Sequence, residues 1–128
     1  MNTRTLLIAT AAVEIGAGLA LAVVPSAAVS VLFGSPLDSA ASLAVGRVAG
    51  LALVALAIAC WLARHDGESR AGKGLVVAML VYNAGAVAVL AHAGAGLGRS
   101  AVLLWMAVVV HVLMAAWCGA SLKRTPGA

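Results

Sequence analysis

The sequence predicts an all-α polytopic membrane protein, with four transmembrane helices in an up-down bundle and a short interfacial helix between helices 1 and 2. Of its 128 residues, 64% are hydrophobic and 9% are charged, too few polar side chains to cover a water-facing surface. Four apolar runs have about the 20 residues that an α-helix needs to cross a hydrocarbon core. Only short segments separate these runs. We therefore expect a single transmembrane domain over residues 1–128.

The first span, Leu6–Val24, carries one carboxylate, Glu14, near its middle. A cleaved signal peptide has a similar outline, because Arg4 precedes the run and small residues beginning at Ser26 follow it. The length of the run and its internal glutamate favour a transmembrane helix instead. A charge at that depth is costly unless it faces a partner or a polar interior, which makes Glu14 a candidate functional residue.

The segment PSAAVSVLFGSPLDS, which begins at Pro25, is too short to cross a bilayer. Its larger apolar residues recur at near-helical spacing: Val29, Leu32, Phe33 and Leu37. This pattern predicts a short amphipathic helix that lies in the membrane interface, ends at Gly34 and forms a flap over one mouth of the bundle. An ordinary loop with scattered apolar residues is the alternative.

The remaining spans are predicted at Ala40–Leu62, Gly74–Ala93 and Ser100–Leu122. Either Asp38 or Ser39 can cap the second span.

Two glycines on the second span, Gly46 and Gly50, have the spacing that lets helix backbones approach closely in lipid. Glycine and alanine are abundant throughout the chain, so the spacing alone does not identify a helix contact.

Loop charges predict the orientation. The N-terminus, the loop after the second span and the C-terminus share one side, because successive spans cross in opposite directions. That side holds six basic residues: Arg4, Arg64, Arg70, Lys73, Lys123 and Arg124. The other side has Arg99. The positive-inside rule therefore places both termini in the cytoplasm.

Three polar side chains are expected at one level of the bundle. The helical rise from the span ends places Glu14, Asn83 and His111 about 14–16 Å deep. Arg47 starts about 10 Å below the outer boundary, and its long side chain can reach either Glu14 or the headgroups. We therefore predict a ligand-binding set of Glu14, Arg47, Asn83 and His111. In the alternative interpretation these residues only fix helix packing.

The sequence contains no motif typical of a hydrolase, a nucleotide-binding loop or a zinc site. A single interior acid does not provide the paired carboxylates of glycosidase chemistry. Cys60 and Cys118 both lie in apolar runs, where free thiols are expected. We predict no catalytic or metal-ligating residue, and the sequence does not identify a cofactor.

A first span that ends at Pro25, a segment that closes with Phe33-Gly34 and a second span that opens with Arg47-x-x-Gly50 together resemble the DoxX-like small four-helix membrane proteins. The resemblance implies a bundle in the bacterial inner membrane, in a family sometimes associated with redox or quinone-linked systems. Glu14 is not matched to a feature of that family.

The run Val13-Glu14-Ile15-Gly16 is similar to the first helix of small multidrug resistance transporters, which are four-span proteins with one essential glutamate there. The tryptophan, tyrosine and glycine pattern of their later helices is missing here. Arg47 is also unexpected in a site that receives cations. This resemblance ranks second.

These observations predict a polar intramembrane centre that binds a small amphiphile, a quinone or a lipid, or that belongs to an accessory subunit of a larger membrane complex. The alternative is a proton-coupled small-molecule exporter that uses Glu14. The expected partners are the lipid bilayer and either further copies of the chain or other membrane proteins. The net charge of +4 suits an anionic leaflet better than nucleic acid.

Overall fold

The computed structural model describes residues 2–96 and 102–123, and it confirms the all-α polytopic fold. The helices are α1 (Thr3–Val23), α2 (Pro25–Phe33), α3 (Ala40–Ala63), α4 (Arg70–Gly96) and α5 (Val102–Lys123). All but α2 are long and apolar enough to span a membrane. The predicted start of the last span at Ser100, together with Arg99 and Arg124, lies outside the described residues.

Local sequence signals explain where the first two helices begin and end. The Asn2 side chain accepts a hydrogen bond from the Arg4 backbone N–H and so caps α1. Pro25 occupies the first position of α2, where its missing N–H costs no helical hydrogen bond. Gly34 then ends α2 with a positive φ of 72°, a conformation that favours glycine. The predicted helix-and-break pattern is therefore confirmed.

Of the two predicted caps for α3, the structure uses Ser39. The Ser39 hydroxyl accepts from the Ser42 N–H at 3.0 Å, and the Ser42 hydroxyl accepts from the Ser39 N–H at 3.2 Å. This reciprocal pair is a capping box. The Ser26 hydroxyl donates to the Leu37 carbonyl at 3.0 Å, which fixes α2 against the segment that leads into α3.

The helices associate mainly in two pairs, with α1 packed on α3 and α4 packed on α5. Gly18 of α1 and Gly50 of α3 form a close backbone contact. A Cβ added at Gly18 would lie 2.8 Å from the Gly50 carbonyl oxygen, and one at Gly50 would lie 2.7 Å from the Gly18 carbonyl oxygen. Gly46 lies beneath Pro25 and Leu37 instead, so the two glycines of α3 serve different contacts.

Where α1 begins and α3 ends, all four long helices converge, and we call this region the closed end. Its core consists of buried side chains from each helix: Leu6, Leu7, Ala11, Cys60, Val76, Met79, Met114 and Cys118. Cys60 and Cys118 are fully buried there as free thiols, which confirms the expectation from their apolar surroundings.

Towards the opposite end the two helix pairs part, and we call this region the open end. They leave a cavity of about 910 Å³ between them. The helix α2 packs against α1, α3 and α5 at this end. Its residues Val29, Leu32 and Phe33 form part of the cavity wall, where the sequence predicts a flap.

Candidate functional site

The candidate site is the cavity of the open end, which receives side chains from all five helices. Its walls are almost entirely apolar and include Leu21, Leu32, Phe33, Leu53 and Leu90. Among the described residues, the polar side chains that reach it are Ser42 near the start of α3 and a group at the inner end of the cavity, where the closed end begins. Most of the polar side chains of the cavity therefore lie at its inner end.

Glu14 and Tyr82 form a hydrogen-bonded pair at this inner end. Glu14, on α1, is only 2% exposed, and the Tyr82 hydroxyl of α4 donates to its Oε2 at 3.3 Å. His111 of α5 stands edge-on to the Tyr82 ring, with 5.7 Å between ring centroids. Glu14, Tyr82 and His111 all line the cavity. Three different helices thus each bring one polar side chain to the same place.

Asn83 lies behind His111 and sets its orientation. Its Nδ2 donates to the Met79 carbonyl at 2.7 Å, and since a carbonyl oxygen can only accept, the Asn83 amide has one possible orientation. Its Oδ1 then faces His111 Nδ1 at 2.8 Å, so that Nδ1 carries a proton and donates it. In a neutral ring the second nitrogen, Nε2, is therefore left with a lone pair.

Glu14, Tyr82, Asn83 and His111 make up what we call the polar floor. Within the described parts of the chain, Glu14 Oε1 and His111 Nε2 make no hydrogen bond. Both atoms accept hydrogen bonds when the acid is ionised and the imidazole is neutral. The polar floor can therefore receive two hydrogen-bond donors from a molecule in the cavity.

The structure brings together three of the four residues that the sequence predicts for the site. Glu14, Asn83 and His111 meet at one level, as the count of helical rise indicates. Arg47 is exposed, and among the described residues it forms no ion pair with Glu14. On α3, Gly46 and Ala49 face the cavity. Arg47 is rotated around the helix axis by about 100° from Gly46 and by about 160° from Ala49, so it points away from the cavity. Of the two options left open for Arg47, the pair with Glu14 is therefore not formed, and Tyr82 is the partner of Glu14 instead.

Tyr82 is the site residue that the sequence interpretation missed. It precedes Asn83, and the turn of about 100° between successive helical residues directs one side chain to α1 and the other to α5. The available signal was its position in mid-span, since a buried tyrosine hydroxyl usually has a hydrogen-bond partner. An aromatic residue in an apolar run otherwise indicates core packing.

The fold and the polar floor together define an α-helical polytopic membrane protein with an intramembrane cavity. In the described residues, no three His, Cys, Asp or Glu side chains are placed to hold a metal ion. No protein-family model, curated protein or solved structure matches the chain. The resemblances to DoxX-like proteins and to small multidrug resistance transporters therefore stay predictions.

Proposed function

We propose that this protein binds a small amphiphile, with the polar head of the ligand on the polar floor and its apolar body in the cavity. The observation that supports this most directly is the position of Glu14 and His111 at one end of a cavity of about 910 Å³ whose described walls are mostly apolar. Ligand sites of drug-sized molecules commonly occupy about 300–1,000 Å³ and combine apolar walls with a few polar groups. The cavity has both features.

The unpaired atoms of the polar floor indicate the chemistry of the head. With Glu14 ionised and His111 neutral, Glu14 Oε1 and His111 Nε2 both accept hydrogen bonds, so the matching head presents O–H or N–H donors. A quinol has two hydroxyl donors, whereas the carbonyl oxygens of an oxidised quinone only accept. The hydroxyl or amine of a lipid head also fits. Of a redox pair of quinone ligands, the reduced form is therefore expected to bind more tightly.

The proposed location is the bacterial inner membrane, with both termini in the cytoplasm. The excess of basic residues at the closed end, including Arg4, Arg64 and Lys73, supports this orientation. The ligand would then enter through the open end, which faces the outer leaflet.

Binding is tested by purifying the protein in a mild detergent and titrating it anaerobically with a short-chain ubiquinol and with the matching ubiquinone. We expect tighter binding of the quinol. Either Glu14→Gln or His111→Gln should weaken it about tenfold, because a hydrogen bond to a charged or strongly polar group is lost. Gly16→Ala is the matched control on α1, since no heavy atom lies within 4 Å of a Cβ added there. Mass spectrometry of the untreated preparation would identify a native ligand.

Two outcomes would contradict the proposal. If both substituted proteins remain folded and bind the quinol as the wild type does, the polar floor is not the binding site. If they melt at lower temperature and neither they nor the wild type retain any amphiphile, the polar floor serves only to join α1, α4 and α5.

A proton-coupled exporter is the second candidate, and the burial of Glu14 favours it. Among the described residues, no cation pairs with this carboxylate, so it is available to bind either a proton or a cationic substrate. In liposomes, an imposed pH gradient would drive an exporter to transport a lipophilic cation such as ethidium, and Glu14→Gln would abolish this transport. Binding of an amphiphile without such transport supports the first candidate. Stable copurification of another membrane protein would indicate that the chain is an accessory subunit.

A further inference from the structure

A second apolar groove lies on the outer face of the α1–α3 pair, and none of its residues lines the cavity. It has a volume of about 350 Å³. Its walls are Ile8, Ala11, Ala12 and Ile15 of α1 with Ala57, Ile58 and Trp61 of α3. All of these residues except Ile15, which lies just past the middle of α1, belong to the half of their helix nearer the closed end, so the groove extends towards the membrane boundary there.

Arg64 is fixed at the rim of this groove. It follows α3 directly, and its guanidinium carbon lies 4.1 Å from the centroid of the Trp61 ring. Its Nη1 also donates to the Trp61 carbonyl. Trp61 itself is 49% exposed, which is typical of a tryptophan at a membrane boundary. A positive charge is thereby held beside the wall of the groove.

Arg4 occupies the corresponding position on α1. It precedes Ile8 by one helical turn and therefore lies on the same face as the groove wall. The adjacent Thr3 packs against Gly67, where an added Cβ would lie 2.6 Å from the Thr3 methyl carbon. This contact holds the start of α1 against the segment after α3. Both arginines are therefore at the same end of the groove.

We propose that this groove binds an anionic phospholipid of the leaflet at the closed end. One acyl chain lies between α1 and α3, and the phosphate lies at Arg4 and Arg64. The described part of the closed end carries five basic side chains against two acidic ones: Arg4, Arg64, Arg70, Lys73 and Lys123, with Asp66 and Glu68. This charge balance attracts an anionic head.

Charge also distinguishes the lipid from a second copy of the chain. A symmetric dimer formed through this groove would bring Arg4 and Arg64 of one copy close to the same residues of the other. Such like-charge contacts oppose association. An anionic phospholipid instead neutralises both arginines and fills the apolar space between the helices.

Quenching of Trp61 fluorescence by brominated lipids tests the proposal. Trp105→Phe and Trp117→Phe leave Trp61 as the only tryptophan, and the protein is placed in phosphatidylethanolamine bilayers with a minor share of brominated phosphatidylglycerol or brominated phosphatidylcholine. We expect stronger quenching by phosphatidylglycerol. Arg4→Gln and Arg64→Gln should each reduce its relative affinity roughly fivefold. Arg47→Gln is the matched control, because Arg47 is an exposed arginine of the other half of α3.

A change in the groove wall gives an independent test. Ala12 is exposed, so Ala12→Phe should fill the groove without a loss of thermal stability and should weaken quenching by both brominated lipids. Equal quenching of the parent by both lipids would overturn the proposal, as would a preference that survives both arginine substitutions. Quenching that disappears as the protein-to-lipid ratio rises would show that a second copy covers the groove. Glu14→Gln should leave all of these results unchanged, which separates this site from the cavity.

Discussion

The two ends of the bundle are built from the same four long helices, yet the closed end is tightly packed and the open end contains a cavity. At the closed end Leu7 and Met79 are each 1% exposed and contact side chains from the other helices. At the open end Leu21 and Leu90 are half-buried and line a cavity. The connections at the two ends also differ. A short segment, residues 64–69, links α3 to α4 at the closed end, whereas α2 is inserted between α1 and α3 at the open end.

This difference separates the residues that pack the bundle from the residues of the candidate site. The helix α2 contacts both helix pairs and occupies space that would otherwise let them close. Well-packed residues at the closed end hold the bundle together, so the open end can keep a cavity without loss of the fold. The polar floor lies at the boundary between the two regions, where Glu14 and His111 are fixed by the packed side and reach the hollow side.

The topology test has the largest expected effect, because its result is all or none. A reporter that is active only in the periplasm should be active when fused after Gly98 and inactive when fused after Gly67. This pattern would place the closed end at the cytoplasmic boundary and the open end at the periplasmic boundary. The opposite pattern would exchange the two leaflets and remove the proposed route of ligand entry.

Leucine substitutions on one helix compare the packing of the two ends. Leu7→Ala should lower the free energy of unfolding by about 3 kcal/mol, because Leu7 is 1% exposed in a filled core. Leu21→Ala should cost clearly less, since that side chain already borders a cavity. Denaturation in detergent micelles measures both values. Equal losses would mean that the open end is as well packed as the closed end.

Glycine substitutions test the contact that holds α1 on α3. Gly50→Ala should destabilise the protein by about 2 kcal/mol, because the new methyl group meets the backbone of α1 near Gly18. Gly16→Ala should be neutral or slightly stabilising, since the site is open and alanine favours a helix. The melting temperatures of the two proteins give the comparison. A neutral Gly50→Ala would show that α1 and α3 do not pack this closely.

For the candidate site, the sequence predicted how deep the polar side chains lie in the bundle, but not the direction in which each one points. The rise per residue is constant in a helix, so counting placed Glu14, Asn83 and His111 at one level. The direction in which each side chain points depends on how the helix is rotated against its neighbours. In a helix that is apolar on every side, no polar face reveals that rotation. Tyr82 was therefore missed, and Arg47 was assigned to a site that it does not face.

The sequence by itself determined the number of spans and placed most of their ends within three residues. The third span is the exception in length, because α4 runs from Arg70 to Gly96 where Gly74–Ala93 was predicted. A hydrocarbon layer leaves backbone N–H and C=O groups no partner but each other, so an apolar run of sufficient length becomes a helix. Local features such as Pro25, Gly34 and the Ser39 cap then fix the breaks. Only the tertiary structure decided which helices pair, where α2 inserts and that a cavity results. Helix association in lipid depends on the fit of small residues such as Gly18 and Gly50 rather than on a hydrophobic pattern, and that fit exists only between helices already in contact.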